Sequence, residues 1–122
     1  MSIGSVWIGR LQLDNVLRAS CAWSRLRGWY GYQQSPLNGV LLTQCTAIHS
    51  FAMTMSMDLL WLDDELRCIQ VSLDHRPWRF AYCRQARHVL ELRRSSAGSL
   101  NPALIHPEVV GEQLCWRADQ VR

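Results

Sequence analysis

Between Cys45 and Asp63 the chain carries its densest set of chemically capable side chains: His49, Met53, Met55, Met57, Asp58 and Asp63 in an otherwise apolar run. An imidazole such as His49 serves as acid, base or metal ligand near neutral pH. In an apolar run it more often serves as a core residue bonded to backbone. Methionines at alternate positions of an extended segment point to one side. Met53, Met55 and Met57 with His49 therefore form a candidate site for a soft ion such as Cu(I). The competing use of such side chains is to fill irregular core beneath a sheet. Asp58 closes one apolar run and opens another, and a carboxylate there must be solvated or paired. Arg25, Arg27 and Arg79 are its candidate partners, and Glu91 is a second acid of the same kind. An acid from Asp58 or Glu91, the Arg79 guanidinium and the His49 imidazole would together make a polar site. The structural alternative is an arginine bonding loop carbonyls and a carboxylate holding a turn.

The elements that must position these residues read mainly as strands. Val6, Ile8, Leu11 and Leu13 alternate around Gly9, which suggests one strand with a bulge. Asp14 or Asn15 is placed to cap a helix, and Val16, Leu17, Ala19, Ala22, Trp23 and Leu26 give it an apolar stripe ending at Gly28. Residues 31–39 read as loop. Val40, Leu41 and Leu42 make a short buried strand. Residues 51–62 look extended, Asp63-Asp64-Glu65 is a polar turn, and Arg67–Leu73 puts Ile69, Val71 and Leu73 on one face. These last three segments form a β-hairpin. Residues 78–87 are ambiguous. His88–Arg93 is another strand, with Leu90 and Leu92 on one face and Glu91 opposite. Pro102 starts and Pro107 limits a second short helix, and Gly111-Glu112 turns into a last strand, Gln113–Arg117. The expected fold is mainly β: a small sandwich or partly closed barrel with one or two short helices.

Composition bounds the rest. At 122 residues the chain is expected to form one domain spanning residues 1–122, with an apolar fraction of 48% that suits a globular core. All 13 basic residues are arginine and the net charge is only +3. The arginines are scattered along the sequence, which argues against nucleic acid as a partner. Cys21, Cys45, Cys68, Cys83 and Cys115 are odd in number and lack any Cys-x-x-Cys, so reduced, buried and inert thiols in a cytoplasm are expected. Zinc held by cysteines with His49 is the less favoured alternative. No signal peptide is apparent, and no apolar run reaches the ~20 residues that cross a bilayer. Hydrolase signatures and phosphate-cradling glycine loops are absent.

Cys45-x-x-Ile48-His49-Ser50-Phe51-x-Met53, followed by Met57-Asp58-Leu59-Leu60-Trp61-Leu62-Asp63, resembles the bacterial and archaeal domain-of-unknown-function family 192. Arg25-Leu26-Arg27-Gly28, Pro77-Trp78-Arg79, Ala86 with Val89-Leu90-Glu91-Leu92, and Gly111-Glu112 continue the likeness in order, over about residues 15–117. Trp29-Tyr30, Tyr32, Ser95–Gly98 and His106-Pro107 depart from it. The resemblance implies a small β-rich sandwich with minor helix, and almost nothing about activity.

The preferred reading is a non-enzymatic cytoplasmic binding or accessory module. It would recognise a small ligand, a peptide or a protein, with no cofactor, no nucleic acid and no membrane span. Its candidate ligand-binding residues are His49, Asp58, Arg79, Glu91, Trp78 and Arg25, with tryptophan and arginine as anchors. The alternatives are an enzyme of unknown reaction using His49 with Asp58 or Glu91 as acid and base, and Cu(I) or zinc binding through His49 and Met53, Met55 and Met57.

Overall fold

The computed structural model describes residues 2–20, 37–49, 56–76, 79–93 and 109–120, and of His49 and Arg93 the backbone alone. Nine strands run through these residues: β1 (Ser2–Ile8), β2 (Leu11–Ser20), β3 (Gly39–Thr43), β4 (Ala47–His49), β5 (Met57–Leu62), β6 (Cys68–His75), β7 (Phe80–Tyr82), β8 (His88–Arg93) and β9 (Cys115–Ala118). Seven form one mixed sheet in the order β6-β5-β8-β3-β2-β1-β9, and β4 and β7 form a separate two-stranded ribbon. The mainly β expectation holds.

The sequence expected one bulged strand at Gly9 and a helix after it. The structure has a hairpin followed by a long strand. Ile8 pairs with Leu11 across a two-residue loop, and Gly9 supplies the positive φ, 55°, that so tight a loop needs. The predicted helix cap is a β-bulge instead. Gly4 pairs with Val16 and Val6 with Leu13, so Ser5 faces both Asp14 and Asn15. Asn15 takes φ 56°, and the Ser5 hydroxyl donates to Asp14 Oδ1 at 2.8 Å. The extra residue shifts the phase of the strand. Leu11, Leu13 and Val16 lie in one buried cluster, and Leu17 and Ala19 lie in the other. That crossover mimics helical spacing in the sequence. Residues 21–36, which hold the rest of the predicted helix, lie outside the described residues, as does the second predicted helix up to residue 108. Among the described residues there is no α-helix.

The β5–β6 hairpin forms as expected. Asp63 Oδ1 accepts the backbone N–H groups of Glu65 and Arg67, both at 2.9 Å, which closes the turn. Ile69 and Val71 do not share a face, however. Trp61 pairs with Gln70 and Leu62 with Cys68, so Ile69 is an extra residue. Ile69 consequently packs against one cluster and Val71 against the other.

The seven-stranded sheet is apolar on both sides. Its inner face gathers Val6, Ile8, Leu11, Leu41, Leu60, Leu62, Leu90, Leu92 and Leu114. Its outer face carries Leu17, Val40, Leu42, Leu59, Trp61 and Val89, with Cys45 just before β4, Ile48 within it, and Cys83 and Ala86 after β7 packed on it. The inner face is enclosed because the two ends of the sheet meet. Arg67 and Gln113 form an isolated antiparallel bridge. Around it, Cys68 donates to the Glu112 carbonyl at 2.9 Å, Gly111 to that of Cys68 at 2.8 Å and Leu114 to that of Leu66 at 2.8 Å. The result is a partly closed barrel.

All four described cysteines are free thiols. Cys45, Cys68 and Cys83 are buried as expected, and burial pushes the Cys68 thiol up to about 11. Cys115 departs from expectation: it lies exposed on the edge strand β9. No described helix is long and apolar enough to cross a membrane.

At Gly4 an added Cβ would stand 2.2 Å from the Arg117 carbonyl oxygen, a backbone atom of the paired strand. Gly4→Ala should therefore wedge β1 from β9 and cost about 1–3 kcal/mol. A thermal melt should show the loss as a fall of several degrees, whereas Gly111→Ala meets no neighbour within 4 Å and suffers only its φ of 95°.

Candidate functional site

Strand register decides which candidate residues can meet. In the antiparallel β5–β8 pair, Asp58 lies opposite Leu92 and Leu59 opposite Glu91, with no irregularity between them. Leu92 belongs to the inner cluster and Leu59 to the outer one. Successive residues alternate faces, so Asp58 is on the inner face and Glu91 on the outer. Both are buried, at 5% and 3% exposure, and the thickness of the sheet separates them. The two acids never share a site.

Each acid has its own surroundings. Met57 pairs with His75 and Leu59 with Ser72, so β6 carries an extra residue opposite Asp58. Asp74 within that bulge has φ 56°, and its N–H donates to Asp58 Oδ1 at 2.9 Å. Asp58 thus takes up a backbone donor that the bulge withdraws from the ladder. Its geometry is that of a carboxylate holding a backbone irregularity. Glu91 sits between Val40 of β3 and Leu59 of β5 on the outer face. A carboxylate among such neighbours is costly to bury.

His49 ends β4, where its backbone pairs with Phe80 at the start of β7. Ile48 pairs with Ala81, and both pack against the outer cluster. Arg79 is exposed just before β7. The register therefore brings His49 and Arg79 to one end of the ribbon, on the same side of the main sheet as Glu91. Asp58 is excluded from that group. Met57 is fully buried with Leu59 and Trp61 in the outer cluster. Trp78, Arg25, Met53 and Met55 lie outside the described residues. Among the described residues no three His, Cys, Asp or Glu side chains gather closely enough to hold a metal ion.

The ribbon also shows what the sequence reading missed. Ala81 packs inward and Cys83 is buried, while Phe80 and Tyr82 alternate with them and stand 66% and 58% exposed. The signal was present in Phe80 and Tyr82 at period two, with the small Ala81 between them. A run whose large aromatics face outward inverts the usual pattern, and that inversion made residues 78–87 ambiguous. Arginines surround the pair: residues 75–90 contain Arg76, Arg79, Arg84 and Arg87, two histidines and no acid.

Two histidines flank this region. His75 is half-buried; burial pushes its pKa below the ordinary value, a hydrogen bond to the Arg79 backbone opposes that, and the Arg79 charge adds to it. His88 is lowered first by burial, against the raising influence of Asp64 and with Arg18 lowering it further, while Asp63 raises it. His88 Nδ1 accepts the backbone N–H of Gln44 at 3.0 Å, at a residue with φ 56°.

No protein-family model matches the sequence, and no curated protein matches it. Two solved structures share the fold. One is a candidate transcription regulator from Sinorhizobium meliloti, with a TM-score of 0.71 and 21% identity over 95% of this chain and 96% of that one. The other is a protein of unknown function from Novosphingobium aromaticivorans, with a TM-score of 0.68 and 12% identity over 94% of this chain and 85% of that one. At these identities the likeness is one of fold.

Asp58→Ala should cost about 1–3 kcal/mol by stranding the Asp74 N–H, and Asp58→Asn should cost less because its carbonyl still accepts. Chemical denaturation of the two variants checks the order. Because the pKa values of His75 and His88 are depressed by folding, their neutral forms stabilise the protein above about pH 6.5. That contribution is lost as pH falls through the lower folded values. The denaturation midpoint should drop between pH 7 and pH 5, and His88→Gln should flatten part of the drop.

Proposed function

We propose that this chain is a non-enzymatic binding module of the domain-of-unknown-function family 192 type, working in the cytoplasm, whose docking surface is the outward side of the β4–β7 ribbon. The exposed pair Phe80 and Tyr82, with Arg79 before them and His49 in register with Phe80, is the observation that carries this reading. Aromatic and arginine side chains dominate binding hot spots. Two large exposed rings side by side make a contiguous apolar surface of the kind that marks an interaction site. Family membership is supported by the ordered motifs from Arg25 to Glu112, and a reducing compartment by the free thiols. The candidate regulator among the structural neighbours accords with a binding role.

Of the two acids offered as partners of His49, Asp58 lies on the face of the sheet away from the ribbon, so the acid–base alternative narrows to Glu91. Within this reading Asp58 is structural, and the binding residues are Arg79 and His49 joined by Phe80 and Tyr82.

A double variant, Phe80→Ser with Tyr82→Ser, tests the surface. Both rings are solvent-exposed, so the melting temperature should stay within about 3 °C of the parent. Macromolecules retained by the tagged parent protein in a lysate of its source organism should be lost with the variant. Identical retention by both proteins would sink the assignment.

A further inference from the structure

We propose that the β4–β7 ribbon is a stacking platform for single-stranded nucleic acid. This inference rests on the reading of the ribbon as the docking surface and names the occupant. Phe80 and Tyr82 lie two residues apart on one side of a strand, which sets their Cα atoms about 6.6 Å apart along it. Two rings at that repeat, each more than half exposed, offer two successive π-faces. Unpaired bases stack on such faces whatever their sequence. Paired bases do not, because their faces are already covered by neighbours in the duplex.

The surrounding charge fits a phosphate backbone. Arg79 immediately precedes the rings in the chain and Arg84 follows two residues after Tyr82, both exposed. Arg76 and Arg87 extend the basic run. Their acid contacts, Arg76 to Asp74 at 3.8 Å and Arg87 to Asp64 at 3.9 Å, are long and solvent-exposed. Ion pairs of that kind hold little energy and yield readily to a phosphate. Scattered over the whole chain, the arginines looked unsuited to nucleic acid; within residues 75–90 they are concentrated with no acid among them. An acidic peptide would satisfy the guanidinium groups equally, but its carboxylates gain nothing from two adjacent ring faces. The rings therefore favour the nucleic acid.

Fluorescence anisotropy of the full chain tests this with four probes: a 12-nucleotide single-stranded RNA, the DNA strand of the same sequence, its DNA duplex, and a glutamate-rich peptide of similar length. Expected is binding to single strands at least tenfold tighter than to the duplex or the peptide. Phe80→Ser with Tyr82→Ser should weaken single-strand binding by about tenfold or more. Arg79→Ala with Arg84→Ala should instead flatten the slope of log affinity against log salt by about 0.7 for each phosphate contact removed. Preference for the peptide, equal affinity for duplex and single strand, or binding indifferent to the two ring substitutions would each overturn the proposal. If no probe binds while the ring variant still loses retained macromolecules from lysate, the docking surface stands and its nucleic-acid occupant falls. If the ring variant changes neither, both fall.

Discussion

The fold is governed by the burial of β5 on both of its sides. All six residues from Met57 to Leu62 are buried, and the register with β8 divides them between two clusters. A central strand of this kind needs apolar cover above and below. The curled sheet supplies one side by enclosing its own inner face. The other side requires a separate layer, to which the β4–β7 ribbon contributes through Ile48 and Ala81. The ribbon is thereby fixed with one side against the sheet and the other toward solvent. The placement of Phe80 and Tyr82 follows from that need for cover, as does the division of Asp58 from Glu91.

Three bulges tune how each strand serves the two faces. The extra residues at Asn15, Ile69 and Asp74 each change which face the following side chains meet. Asn15 and Asp74 adopt left-handed backbone, as do Gln44 and Leu66 in turns. Non-glycine residues in that region cost of order 1 kcal/mol or more each. Local hydrogen bonds offset the cost: Asp58 holds Asp74, His88 holds Gln44, and the Asn38 N–H donates to the Asn15 carbonyl at 2.9 Å. Of the two buried carboxylates, Asp58 thus secures a backbone irregularity.

Sequence legibility divides along the same line. The β5–β6 hairpin, β3 and β8 were readable because apolar runs bounded by Asp63-Asp64-Glu65 or glycine leave few alternatives. The face of Glu91 opposite Leu90 and Leu92 was readable from simple alternation. The strand β2 was not, because a bulge at Asp14-Asn15 turns period two into something close to helical spacing, and the same residue types favour helix caps. The separation of Asp58 from Glu91 was hidden because it depends on the pairing of β5 with β8, which no local pattern encodes. Phe80 and Tyr82 were hidden because apolarity ordinarily signals burial.

The neighbours of β1 carry a consequence for synthesis. β1 pairs with β2 at once through a tight loop, yet its other edge is filled only by β9, which is translated about a hundred residues later. Until then a nascent chain presents the open edge of β1 and the unclasped end of β6, both prone to pairing with other chains. The ribosome-bound intermediate is therefore exposed to misassembly for most of its elongation. The bulge of β2 at Asp14-Asn15, opposite Ser5, breaks the regular pairing of the first hairpin and twists it, which limits that risk while the last strand is awaited.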